Sequence, residues 1–153
     1  MNRTVAIIAA LAASMTQAKA QDLVLNGHII GSGAKDRSVS VINLYTYEGD
    51  LQESVLQRHT SVRGDAHFRF VLALNKGYIL EVISNNGSHK RVVVNTDLLP
   101  DQPMDRSTCE VNIDIAEGVK WGRDPEDVAW VSYDPTTSCF GLSDAYRWAA
   151  QAD

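Results

Sequence analysis

The sequence predicts an all-β fold, a seven-stranded antiparallel β-sandwich with a short extra strand and helix near its C-terminal end. Three observations predict it. From Asp22 to Ile115 no apolar stripe recurs at helical spacing, while short runs rich in Val, Ile, Leu, Phe and Tyr alternate with polar residues. Clusters of Gly, Asn, Asp and Ser divide those runs at the close spacing of a sandwich. Setting aside the first 20 of the 153 residues leaves 133, enough for one domain to bury a core without metal.

The first strand spans Leu23 to Ile30 and puts Leu23, Leu25 and Ile29 on one face. Gly31 to Asp36 form a loop. The second strand runs through Val39, Val41, Ile42, Leu44, Tyr45 and Tyr47; its apolar parity switches between Val41 and Ile42, which implies a bulge or burial on both faces. The third, Glu53 to Val62, is polar and alternates weakly, as an edge strand does. Arg63-Gly64-Asp65 turns the chain into Ala66 to Leu74, where Phe68, Phe70, Leu72 and Leu74 face inward and His67 and Arg69 outward. This is the cleanest alternation in the chain and the expected centre of the core.

Tyr78 to Ile83 and Lys90 to Val94 are joined by Asn85-Asn86-Gly87-Ser88, and Asn-Gly between two β-rich runs predicts an antiparallel hairpin with a type I′ turn. The seventh strand carries Cys109, Val111, Ile113 and Ile115 on one face, with Glu110, Asn112 and Asp114 on the other. Beyond it, Ala129 to Tyr133 reads as a short extra strand, Asp134 to Thr137 as a turn, and Ala145 to Gln151 as a short helix capped by Ser143. The expected organisation is a signal segment over 1–20, the sandwich over 21–116 and a C-terminal extension over 117–153, packed on the sandwich.

Arg3, the apolar run Val5 to Ala13 and Ala18-Lys19-Ala20 form a secretory signal, cleaved before Gln21. The apolar run is too short to span a bilayer, so the expected location is the periplasm or the medium, with no membrane insertion after cleavage. Lys and Arg number 14 and Asp and Glu 19, and the signal takes Arg3 and Lys19 with it, moving the formal charge from −5 to −7. A chain so acidic is not built for nucleic acid, which rewards a basic face. Cys109 and Cys139 survive cleavage and are the disulfide candidates in an oxidising compartment; two free thiols are the alternative.

Leu25-Asn26-Gly27-His28-Ile29, Val39 to Tyr45, His67-Phe68-Arg69-Phe70, Leu74 to Val82 and Lys90 to Thr96 together resemble the carboxypeptidase regulatory-like domain, of transthyretin-like sandwich fold. The Asn75-Lys76-x-Tyr78 step and the Val94-Asn95-Thr96 ending are similar to those of uncharacterised exported bacterial proteins built on this domain. The resemblance covers Leu23 to Ile115 and implies an accessory, adhesive or ligand-binding module. Ala66 stands where the family has a turn Gly, with Gly64 two residues earlier, so the turn must be made differently. A related enzyme group on the transthyretin fold ends in Tyr-Arg-Gly-Ser; here Tyr146-Arg147 leads to Trp148-Ala149, and that activity is not carried over.

The four histidines, His28, His59, His67 and His89, fall on separate strands with no metal-ligand spacing, so no metal or other cofactor is expected. Serine-nucleophile and calcium-loop motifs are missing from the sequence. All three tryptophans lie after the seventh strand, with Tyr133, Phe140 and Tyr146. Aromatic rings give a large contact area at low entropy cost, which makes Trp121, Trp130 and Tyr133 the candidate binding residues; covering one end of the sandwich is their other use. The expected function is a non-enzymatic exported module that contacts an envelope protein or glycan. The alternative is a small hydrolase with His59 or His67 as base on an open sheet face.

Overall fold

The computed structural model describes residues 22–31, 38–115 and 126–143. Among them every regular element is a strand: β1 (Leu23–Ile30), β2 (Val39–Tyr47), β3 (Ser54–Arg63), β4 (Ala66–Leu72), β5 (Gly77–Ser84), β6 (His89–Asn95), β7 (Thr108–Asp114), β8 (Glu126–Asp134) and β9 (Cys139–Leu142). They form a three-stranded sheet in the order β4-β1-β7 and a six-stranded sheet in the order β3-β2-β5-β6-β8-β9. The segment 1–20, Trp121 and the helix expected over 145–151 lie outside the described residues.

The inward faces of the two sheets share one core. Leu23, Leu25 and Ile29 of β1, Phe68, Phe70 and Leu72 of β4, and Cys109, Val111 and Ile113 of β7 meet Ile42 and Leu44 of β2, Leu80 and Val82 of β5, Val92 and Val94 of β6, and Ala129 and Val131 of β8. Period-2 alternation produces this directly, because successive side chains of a strand point to opposite faces. β4 joins the core as expected but lies at the edge of its sheet, with β1 in the middle. β3 is the edge strand its polarity predicts.

The sandwich departs from the expectation of seven antiparallel strands. Nine strands are described, and β1 pairs with β7, and β6 with β8, in parallel. Parallel neighbours need a long crossover between them, and no local sequence signal shows which distant strands will meet. The extra strand read at Ala129 to Tyr133 is longer than expected and extends the six-stranded sheet; β9, only Cys139 to Leu142, escaped notice because so short a run shows no alternation. The turn between them falls one residue later than read, over Pro135 to Ser138, with the Asp134 carboxylate accepting from the Thr136 N–H at 2.8 Å.

β2 has no bulge at Val41/Ile42. Ser40, Ile42 and Leu44 face the core, while Val41, Asn43 and Tyr45 form a partly covered outer face; the register slips instead on β3, where Leu44 opposes Arg58 and Tyr45 opposes Leu56. The β5–β6 hairpin forms antiparallel as predicted, but in its turn only Gly87 takes a positive φ, of 94°. Type I′ needs positive φ at both central residues, so the tighter turn is excluded and Ser84 N–H reaches the Ser88 carbonyl at 2.8 Å across a longer loop. At the β3–β4 turn Gly64 bends at φ 54° and the Asp65 carboxylate accepts from Gly31 N–H at 2.7 Å, tying the turn to the end of β1.

Thr96, fully buried, links two segments that carry the family resemblance. Its hydroxyl accepts from the Lys76 N–H at 3.0 Å and lies 2.9 and 2.8 Å from the carbonyl oxygens of Ala73 and Lys76. Asn75 holds a positive φ of 58° there and accepts from Leu98 N–H through its side chain.

Candidate functional site

The outward face of the six-stranded sheet carries a polar row set by strand register alone: His59 of β3, Asn43 of β2, Glu81 of β5, Arg91 of β6 and Asp127 of β8 lie opposite one another in turn. Glu81 is its hub. One carboxylate oxygen accepts from Asn43 Nδ2 at 3.3 Å and from the Tyr45 hydroxyl at 3.1 Å, and the other accepts from His89 Nε2 at 2.7 Å. His59 Nδ1 lies 2.8 Å from Asn43 Oδ1, so donors point along the row toward the carboxylate. Burial, reinforced by the Glu81 charge, raises the Tyr45 hydroxyl above its usual value of 10.0 and keeps it a donor. At the far end Arg91 makes a bidentate pair with Asp127, its Nη2 at 3.0 Å from Oδ2.

An apolar row runs beside it: Leu56, Tyr45, Ile79, Val93 and Trp130, again in register. Ile79 and Val93 are covered although they face outward, at 5% and 3% exposure, while the ends of the row, Leu56 at 50% and Trp130 at 42%, are open. A bulge decides the placement of Trp130. The register slips between Arg91/Asp127 and Val92/Ala129, leaving Val128 unpaired, so Asp127 and Trp130 share a face despite odd spacing. An aromatic ring thus stands on the same face as a guanidinium–carboxylate pair, with the Glu81 carboxylate, which accepts three donors, further along.

The sequence candidates are not brought together. Tyr133 faces the opposite way from Trp130, meets Phe140 edge-on at 5.6 Å and donates from its hydroxyl to the Pro103 carbonyl at 2.6 Å. It also borders a shallow cleft of about 510 Å³ with Leu98, Leu99 and Pro135. Cys109 and Cys139 line a separate cleft of about 790 Å³ between β7 and β9, with Asp105, Arg106 and Thr108. The disulfide considered for them is not formed: both thiols are free, Cys109 turned into the core from the smaller sheet and Cys139 half-exposed at the start of β9. Burial pushes the Cys109 thiol up to about 11, which suppresses the thiolate that disulfide formation requires.

The histidines are less scattered than their sequence positions suggest. His59 and His67 are on different sheets, but His28 of β1 and His67 of β4 are register partners on the outward face of the three-stranded sheet. Their rings stack at 4.2 Å between centroids and 13° between planes. Asn26, Glu110 and Asn112 line the same small cleft, of about 190 Å³. Among the described residues no three His, Cys, Asp or Glu side chains form a metal-holding group. The pairing was legible only as even spacing within two strands that each expose a His; which strands meet was not.

No family model matches the chain, and neither a curated protein nor a solved structure does.

Proposed function

We propose that this chain is an exported, non-enzymatic module of the transthyretin-like or carboxypeptidase regulatory-like kind, which binds a glycan or envelope protein through the outward face of its six-stranded sheet. The observation that carries the reading is the juxtaposition of the open Trp130 ring with the polar row ending in Arg91–Asp127 and centred on Glu81. An aromatic face covers the apolar side of a sugar ring or an apolar side chain, and adjoining carboxylates and amides take its hydroxyls or amides. The family side of the reading rests on the sequence motifs, supported by the two-sheet arrangement of short strands. Export rests on the signal-like segment over 1–20.

The test is a glycan array and an envelope-extract pull-down with the chain beginning at Gln21, beside Trp130→Ala and Glu81→Gln variants whose folding is verified by thermal melting. Binding by the parent chain that falls at least tenfold in folded Trp130→Ala supports the reading. Binding that survives both substitutions removes this face from it.

A hydrolase is the second reading, and one observation favours it: the His28–His67 stack with Glu110 in the same cleft, a convergence of histidine and carboxylate that a base on this face would need. It predicts ester or amide hydrolysis that disappears in His67→Ala. Among the described residues the lining of that cleft holds no Ser, Thr or Cys, so water would be the nucleophile.

A further inference from the structure

We propose that His28 and His67 form a binding site for a divalent transition-metal ion, Cu²⁺ above all, on the outward face of the three-stranded sheet. The site is independent of the Trp130 face, which lies on the other sheet.

Of the four histidines, two are already committed: His59 to Asn43 and His89 to Glu81. Among the described residues the other two have only each other: the His28 and His67 rings meet in their mutual stack, and their ring nitrogens take no side-chain partner. Imidazole nitrogens left free, side by side on paired strands, are chelating groups whose spacing the backbone fixes. His28 opposes His67 across β1–β4, within a run of paired residues from Leu23↔Leu72 to Ile29↔Ala66 without a slip.

The spacing suits a metal. With metal–nitrogen bonds of about 2.0–2.1 Å and a near-right angle at the ion, two ligating nitrogens sit roughly 3 Å apart. Because imidazole lone pairs lie in the ring planes, the nearly parallel stack must open before both nitrogens face one ion; rotation about the side-chain bonds does this while the paired strands keep the two residues adjacent. β7 supplies oxygen on the third side. Asn112 is directly opposite His28, and Glu110 is opposite Asn26 one row away, both exposed and both lining the cleft. The carboxylate offsets the charge of the ion, and the open cleft leaves positions for water.

Two imidazoles with an oxygen donor and water make a tetragonal nitrogen–oxygen set, the geometry that Cu²⁺ prefers and that the order of divalent affinities also favours. Because no three strong ligands converge among the described residues, the site should bind at roughly micromolar strength, weaker than a three-histidine centre.

The test uses untagged chain, since a polyhistidine tag would chelate, titrated with Cu²⁺ and separately with Zn²⁺. The expected result is one Cu²⁺ per chain, bound more tightly than Zn²⁺, with an electron paramagnetic resonance spectrum showing two imidazole nitrogens. His28→Ala and His67→Ala should each weaken Cu²⁺ at least tenfold, Glu110→Gln a few-fold, and His59→Ala less than twofold. Paramagnetic broadening in the parent chain supplies a readout that needs no variant, and it should centre on residues 26–28, 66–68 and 110–112. Absence of binding at 100-micromolar-order Cu²⁺, equal affinity in folded His28→Ala and His67→Ala, or broadening centred elsewhere would each overturn the assignment.

Discussion

Gly27 lies on the core side of β1 opposite Phe68, and the ring of Phe68 lies across its bare backbone. A Cβ added at Gly27 would overlap the Cζ end of that ring, far inside the 3.0 Å that real Cβ atoms respect. To restore ordinary contact the ring must retreat by roughly 1–1.5 Å or more, toward a core where Phe70 already stands 5.7 Å away. Overpacking of this kind costs about 1–3 kcal/mol, offset by about 0.5–1 kcal/mol because Ala in a strand loses less backbone entropy than Gly. Gly27→Ala should therefore destabilise by about 1–2 kcal/mol, and Phe68→Leu by a similar amount through lost burial. The informative chain is the double variant. A Leu at position 68 vacates the space the new methyl needs, so the pair should cost about 1–2 kcal/mol less than the sum of the singles. Urea unfolding followed by far-ultraviolet circular dichroism measures all three. Additivity within about 0.5 kcal/mol would refute the contact. The same variants report on the histidine pair, since Gly27 precedes His28 and Phe68 follows His67.

Thr96→Val keeps the shape but leaves the Lys76 N–H without its acceptor, and should cost about 2–3 kcal/mol, with Thr96→Ser recovering most of it in the same unfolding assay. Ser40, Ser84 and Ser88 bury hydroxyls with no hydrogen-bond partner among the described residues; Ser84→Ala should thus be neutral or stabilising by up to about 1 kcal/mol, and a loss larger than that would reveal a bound water. Cys109, raised from 9.0 to about 11 by burial, binds its proton more tightly folded than unfolded. Its contribution is present in full below pH 9 and is lost as pH rises through 11, a change of about 2–3 kcal/mol that Cys109→Ala should abolish in melts across that range. At pH 8 roughly one Cys109 in a thousand is a thiolate, so iodoacetamide should label Cys139 first, as read by peptide mass spectrometry; equal labelling would show the thiol to be open.

What local pattern controls was legible in the residues. The first seven strands could be placed because Phe68, Phe70 and Leu72, or Val111 and Ile113, repeat with the period of a pleated sheet and bury together. Glu53 to Val62 declared itself an edge through polarity. What depends on which strands meet was hidden. The stack of His28 on His67 and the row from His59 to Asp127 both join residues far apart in the chain, and only the registers show them. Trp130 was a candidate for its exposed-aromatic chemistry, but the reason it shares a face with Asp127 is a one-residue slip against β6 that leaves no mark in composition. Lys90 is a further case: the alternation of β6 turns it inward, opposite Val82 and buried, where a charged residue in a sequence invites an outward reading.

The two parallel pairings also order events in time. β2 with β3, and β5 with β6, close through short turns and need only their nearest neighbours. β1 is different: its partners are β4 and β7, with Val24 set against Thr108. The first strand of the sandwich therefore acquires its second neighbour only when the stretch around Thr108 has emerged, and one edge of its backbone waits unpaired meanwhile. Closing so large a loop is slow compared with forming a hairpin. A chain built this way completes its smaller sheet late, after the β2–β3 and β5–β6 pairs can already have closed.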